Sequence, residues 1–140
     1  MIEPTPDRRA RGIAMYARQF GVPEDEVHDH MARMLGARMA EEAQHASGGA
    51  WSGDGLTMRE RSLVVISSLV TQGGVEGRLR GHLRWAGENG LAPEDLEAAI
   101  VLLAGYVGYP RASTAMELLR AELGPIEGDA GPSGPSTPIR

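Results

Sequence analysis

LTMRERSLVVISSLVTQGGVEGRLRGHLRWAGENGLAPEDLEAAIVLLAGYVGYPR, residues 56–111, is the stretch whose reading decides the fold. Three helices are legible in it. Thr57-Met58-Arg59-Glu60 has the capping-box pattern, with Thr57 at the N-cap and Glu60 reaching back to its amide. The run 63–70 is apolar nearly all round, which predicts a central helix buried on most sides. Gln72-Gly73-Gly74 ends it. A second helix follows over residues 75–88 and closes at Asn89-Gly90. The third opens at Ala92-Pro93-Glu94-Asp95 with proline at its first position, turns Leu96, Ile100, Leu103, Ala104 and Val107 inward, and breaks at Gly108-Tyr109-Pro110.

Working outward, residues 7–20 read as a helix that Asp7 could cap and Gly21 stops. Val22-Pro23-Glu24-Asp25-Glu26 starts another, its three acids well placed for the helix dipole. Val27, Met31, Met34, Leu35 and Met39 carry one apolar stripe as far as about Ala46, and the methionines suit an adaptable contact, including one with another subunit. Residues 47–55 read as a loop that Trp51 anchors to the core. A last helix over 110–123 turns Met116, Leu119 and Leu123 inward. The expectation is an all-α fold of about six helices in one domain, 1–123. The remainder, 124–140, is a Gly-, Pro- and Ser-rich tail read as disordered, with nothing to bury.

Composition narrows the function. Apolar residues make up 41% of the chain, yet aromatics are only 4%, so aliphatic side chains and methionine fill the interior. The absence of cysteine removes disulfides, thiolate nucleophiles and Cys-ligated zinc together. A net charge of −5 argues against a nucleic-acid partner, which needs a basic stripe. No apolar run approaches the roughly 18 residues of a membrane span and no signal-like segment opens the chain, so a cytoplasmic protein with no membrane partner is expected.

The candidate site lies on the second helix of the opening stretch. At about 100° per residue, Val75, Leu79, Leu83 and Ala86 share an arc of about 80°, and His82 borders it by roughly 20°. Arg78 is one turn earlier on the same surface, whereas Glu76, Arg80 and Arg84 lie on the other side. Two readings stand beside each other: a proton-transferring imidazole with an arginine able to reach an anion against it, or a hydrogen-bonded core histidine whose Arg78 neighbour pairs with an acid of another helix. Elsewhere, His28-Asp29-His30 points its imidazoles to nearly opposite sides of a helix, a poor metal pair. Glu42-Ala43-Gln44-His45 has the Glu-x-x-His spacing of di-iron bundles without the second motif those need.

Trp51-Ser52, Gly55-Leu56 and Arg59-x-Arg61-Ser62-Leu63, followed by Leu79-Arg80-x-His82-Leu83-Arg84, Asn89-Gly90, Pro93-Glu94-Asp95 and Tyr106-x-Gly108-x-Pro110, form an ordered set. It resembles the carboxymuconolactone decarboxylase family over residues 50–119. The related alkylhydroperoxidase-type proteins carry Cys-x-x-Cys-x-x-x-His; counted back from His82, their cysteine positions fall on Val75 and Arg78. Ser62 stands where those proteins have a glutamate. A thiol peroxidase is thereby excluded, and Ser62 resembles the decarboxylase branch.

The resemblance implies a carboxy-lyase that needs no cofactor, because the carbonyl of an unsaturated lactone acid is itself the electron sink. Its partner would be a small carboxylate substrate. His82 would protonate the enolate or donate a hydrogen bond to its oxygen. Arg78 or Arg84 would hold a substrate carboxylate, a task that suits a guanidinium fork, and Trp51 and Tyr106 would line the pocket. The resemblance also implies a homo-oligomer, a trimer or a hexamer built as a trimer of dimers. The alternatives are a family member that isomerises, cyclises or opens a lactone, and a non-catalytic oligomer that binds a small ligand.

Overall fold

A computed structural model describes residues 6–127; the tail expected over 128–140 lies outside the described residues. Among these residues the structure is all-α, with eight α-helices, a 3₁₀ turn at Glu24–Glu26 and no strand. They form two compact units that divide between Met58 and Arg59.

The first unit holds α1 (Pro6–Phe20), α2 (Val27–Leu35), α3 (Ala37–His45) and α4 (Ser47–Trp51). The single second helix expected from the sequence is two helices. Gly36, at φ +81° and ψ 151°, leaves the helical region and redirects the chain between α2 and α3. The expected loop at 47–55 begins as the short helix α4. Its glycines are there for contact rather than for turning. A Cβ on Gly48 would stand 2.3 Å from the Gly12 Cα, and one on Gly12 would stand 2.0 Å from the Gln44 carbonyl oxygen. Backbones of α1, α3 and α4 thus meet where ordinary residues would hold them apart. Val27, Met31 and Ala40 are the buried apolar centre, with Ile13, Tyr16 and Phe20 packed around them.

The second unit holds α5 (Met58–Gln72), α6 (Glu76–Trp85), α7 (Pro93–Val107) and α8 (Tyr109–Leu123). Its core is aliphatic: Ile66, Val70, Leu79, Leu83, Leu91, Leu96, Ile100 and Leu119 are all buried. The central position expected of α5 is only partly realised. It buries one stripe, Ser62, Ile66 and Val70, while Val64 is 59% exposed. The inward face expected for α7 is as observed, with Leu96 and Ile100 buried and Leu103, Ala104 and Val107 packed against the same core. Gly108, at φ +92°, is the one residue between α7 and α8. Beyond α8 the chain is not without burial. Ile126 is 3% exposed and belongs to the core, which corrects the expectation that nothing after residue 123 packs. No described helix is long and apolar enough to cross a membrane.

Candidate active site

Helix α6 carries the candidate group. The left-handed pair Gly73 and Gly74, at φ +67° and +69°, leads from α5 to Val75, the residue that caps α6. Leu79 and Leu83, one turn apart, are buried and fix the helix on the core. His82 lies beside them, partly buried, and its ring centroid is 6.2 Å from that of the buried Trp85 with the planes tilted by 55°. Burial holds the His82 pKa below the ordinary imidazole value, and the positive charge of Arg78 lowers it further. Both causes disfavour the protonated ring, so the imidazole is neutral at pH 7. Arg78 itself is exposed and forms no ion pair with the described residues.

The other arginine singled out from the sequence is differently placed. Arg84 donates from Nε to one carboxylate oxygen of Glu122 on α8, and Arg80 Nη1 stands 2.8 Å from the other. Arg84, and then Arg80, hold the Glu122 carboxyl below the usual carboxylate range. The guanidinium of Arg84 is thus committed to a bridge between α6 and α8. Tyr106, near the end of α7, is 84% exposed. Trp51 is half-buried at the end of α4, in the first unit. Of the sequence candidates, Arg78 places its charge near His82, Arg84 is paired with Glu122, and Tyr106 is exposed.

A buried polar pair was not foreseen. Asn89, in the turn after α6, donates from Nδ2 to Ser62 Oγ over 2.8 Å, and both residues are buried. The Oδ1 of Asn89 has no hydrogen-bond partner among the described residues. Asn89 reads in the sequence as a helix-ending residue, and it lies in the turn beyond the end of α6 at Trp85. Clefts in this unit include two of similar size. One of about 340 Å³ lies between the Gly73-Gly74 turn, Val75, Leu79 and Arg111. The other, of about 380 Å³, lies between α7 and α8. Neither is lined by His82.

In the first unit two histidines, His28 and His45, join an ion-pair cluster. Glu41 accepts from Arg9 Nε and Nη2 at 2.6 and 3.0 Å, and His45 Nε2 and His28 Nδ1 approach the same carboxylate at 3.1 and 3.6 Å. Arg9 is the main cause of a lowered Glu41 pKa. Glu41 thereby bridges α3 to α1 and α2.

A model of the carboxymuconolactone decarboxylase family matches residues 37–121. The 4-carboxymuconolactone decarboxylase of Acinetobacter baylyi is 37% identical over 76 residues, 54% of this chain and 56% of that protein. The chain thus spans about half the length of this curated relative. No solved structure matches it. Since the family match runs through α6 and its histidine and covers more than half of the sequence, the chain belongs to the carboxymuconolactone decarboxylase family.

Proposed function

We propose that this protein is a carboxy-lyase that decarboxylates an unsaturated lactone acid or a related small carboxylic acid, using His82 and Arg78. The observation that carries this reading is a partly buried imidazole, kept neutral beside an arginine with no acid partner among the described residues. The named activity of the 4-carboxymuconolactone decarboxylase relative supports the reaction class.

In such a reaction the bond to the departing carboxylate breaks, its electron pair passes into the conjugated carbonyl, and carbon dioxide leaves. A neutral His82 N–H then donates a hydrogen bond to the enolate oxygen, the form an electrophile needs when an imidazolium would be too acidic to persist. Developing negative charge opposes both causes of the low pKa. It draws a proton from solvent onto the ring, from which carbon is protonated; one proton is consumed for each carbon dioxide released. Arg78 anchors a carboxylate as a point of orientation. The apolar residues flanking His82 weaken hydration of the group that leaves. We also propose that the protein works as a homo-oligomer, a trimer or a hexamer.

The test is carbon dioxide release from a panel of unsaturated lactone acids and β-keto acids, with wild type and His82→Gln side by side. Turnover of at least one compound by wild type, abolished or strongly reduced in the variant, is the expected result. Equal rates in the two proteins would remove His82 from the mechanism.

A further inference from the structure

The cleft of about 340 Å³ lies where the end of α5, the start of α6 and the first two turns of α8 converge. Its floor is apolar, for Val70, Leu79 and Ala115 line it and each is buried. Two charged residues line it as well, Glu76 on α6 and Arg111 on α8. They form no ion pair with each other, and the Glu76 carboxylate has no polar partner among the described residues. Arg111 is held from one side. Its Nη1 donates to the Thr71 carbonyl near the end of α5, a usual task for a basic side chain there. The guanidinium lies along the Gly73 turn, where a Cβ would stand 3.4 Å from Nε. The N–H groups on Nε and Nη2 have no acceptor among the described residues.

We propose that this cleft binds a small α-amino or α-hydroxy acid with an apolar side chain. Arg111 takes the carboxylate on Nε and Nη2, the parallel donors of the guanidinium fork. Glu76 accepts from the ammonium or hydroxyl group, and the side chain lies over Val70, Leu79 and Ala115. The pairing of charges selects this chemistry. A purely apolar anion would leave its carboxylate near Glu76 with nothing to offer that acid, and an amine would do the same to Arg111; a molecule carrying both a carboxylate and a donor satisfies both. The volume is at the lower end of the roughly 300–1,000 Å³ of small-molecule pockets, which suits a body of amino-acid size. The inference is independent of the decarboxylase reading, because His82 does not line this cleft.

The experiment follows the amide shifts of Gly73, Gly74 and Glu76, all at the cleft, in the ¹⁵N-labelled full chain. Titration with L-leucine or with 2-hydroxy-4-methylpentanoate should move them to saturation, and the two arms separate an amino acid from a hydroxy acid. Two truncated compounds test the pairing: 4-methylpentanoate lacks the donor and 3-methylbutylamine lacks the carboxylate. Each should bind at least about tenfold more weakly, the scale of one lost charge-assisted hydrogen bond. Arg111→Met should abolish saturation while circular dichroism shows unchanged helicity. Glu76→Gln leaves the Thr71 contact alone; it should weaken leucine by about tenfold or more and spare the hydroxy acid, whose hydroxyl the amide oxygen still accepts. Saturation by neither parent compound in the wild type would overturn the proposal. So would a truncated compound that binds as tightly as its parent, or a folded Arg111→Met protein that binds as the wild type does.

Discussion

The two units of this protein solve the same packing problem by different means. In the second, aliphatic side chains from α6, α7 and α8 fill the centre, with Ile66 and Val70 of α5, and burial of hydrocarbon supplies most of the stabilisation. In the first, the buried apolar cluster is small, Val27, Met31 and Ala40, while glycines let helix backbones touch and a carboxylate ties three helices together. Burial lowers the pKa of His82 in the second unit, whereas in the first unit His28 and His45 approach the Glu41 carboxylate and His30 packs against the Phe20 ring.

The sharpest way to break that contrast is His82→Gln, expected to lower turnover by roughly 10²–10⁴ while keeping fold and mass. A histidine that only packs would instead lower the melting temperature and leave the rate per folded molecule unchanged. Next in size, Ile126→Ala should cost about 2–5 kcal/mol by opening a hole in the aliphatic core, measured by urea unfolding, whereas a chain ending at Glu127 should unfold like the full one. Gly12→Ala or Gly48→Ala should destabilise by about 1–3 kcal/mol, since a new methyl group meets backbone that cannot yield cheaply. Gly77→Ala and Gly81→Ala, on α6 with open space around the new methyl, should be neutral or stabilise by up to about 1 kcal/mol. Equal effects in the two units would dissolve the distinction.

The smallest effect is electrostatic. Arg78 lowers the His82 pKa, so Arg78→Met should move the acid limb of the kcat/KM profile to higher pH, toward the ordinary imidazole value of about 6.5. It should also raise KM through loss of the anchor. For folding, the sign follows from a native pKa below the unfolded one: the unfolded chain binds the proton first. The contribution of His82 is therefore complete above about pH 6.5 and is lost as the pH falls through the lower native pKa. An acid limb unmoved by Arg78→Met would separate the two residues.

Periodicity and capping residues alone placed α1 and α5 to α8 to within a few residues, and the ordered motifs around His82 identified the family. Those signals are local: a stripe at helical spacing, a proline at a first turn and an Asn-Gly end all act through near neighbours. The same locality limits what they decide. Gly36 breaks a helix that the apolar stripe carries straight through, and Gly48 and Gly49 sit inside a helix where glycine reads as a loop, because their close approach to α1 is a long-range contact. Arg78 and Arg84 are both candidate carboxylate anchors in the sequence, on different sides of the helix, and only the arrival of Glu122 from α8 commits one of them to a bridge. The hydrogen bond between Ser62 and Asn89, and the burial of Ile126 after a helix had ended, are likewise settled by which distant segment packs alongside. Helical position and residue chemistry are thus written in the chain itself, whereas the partner of each buried polar or charged group is chosen by tertiary contact, since desolvation and ion pairing depend on distances that neighbours in sequence do not set.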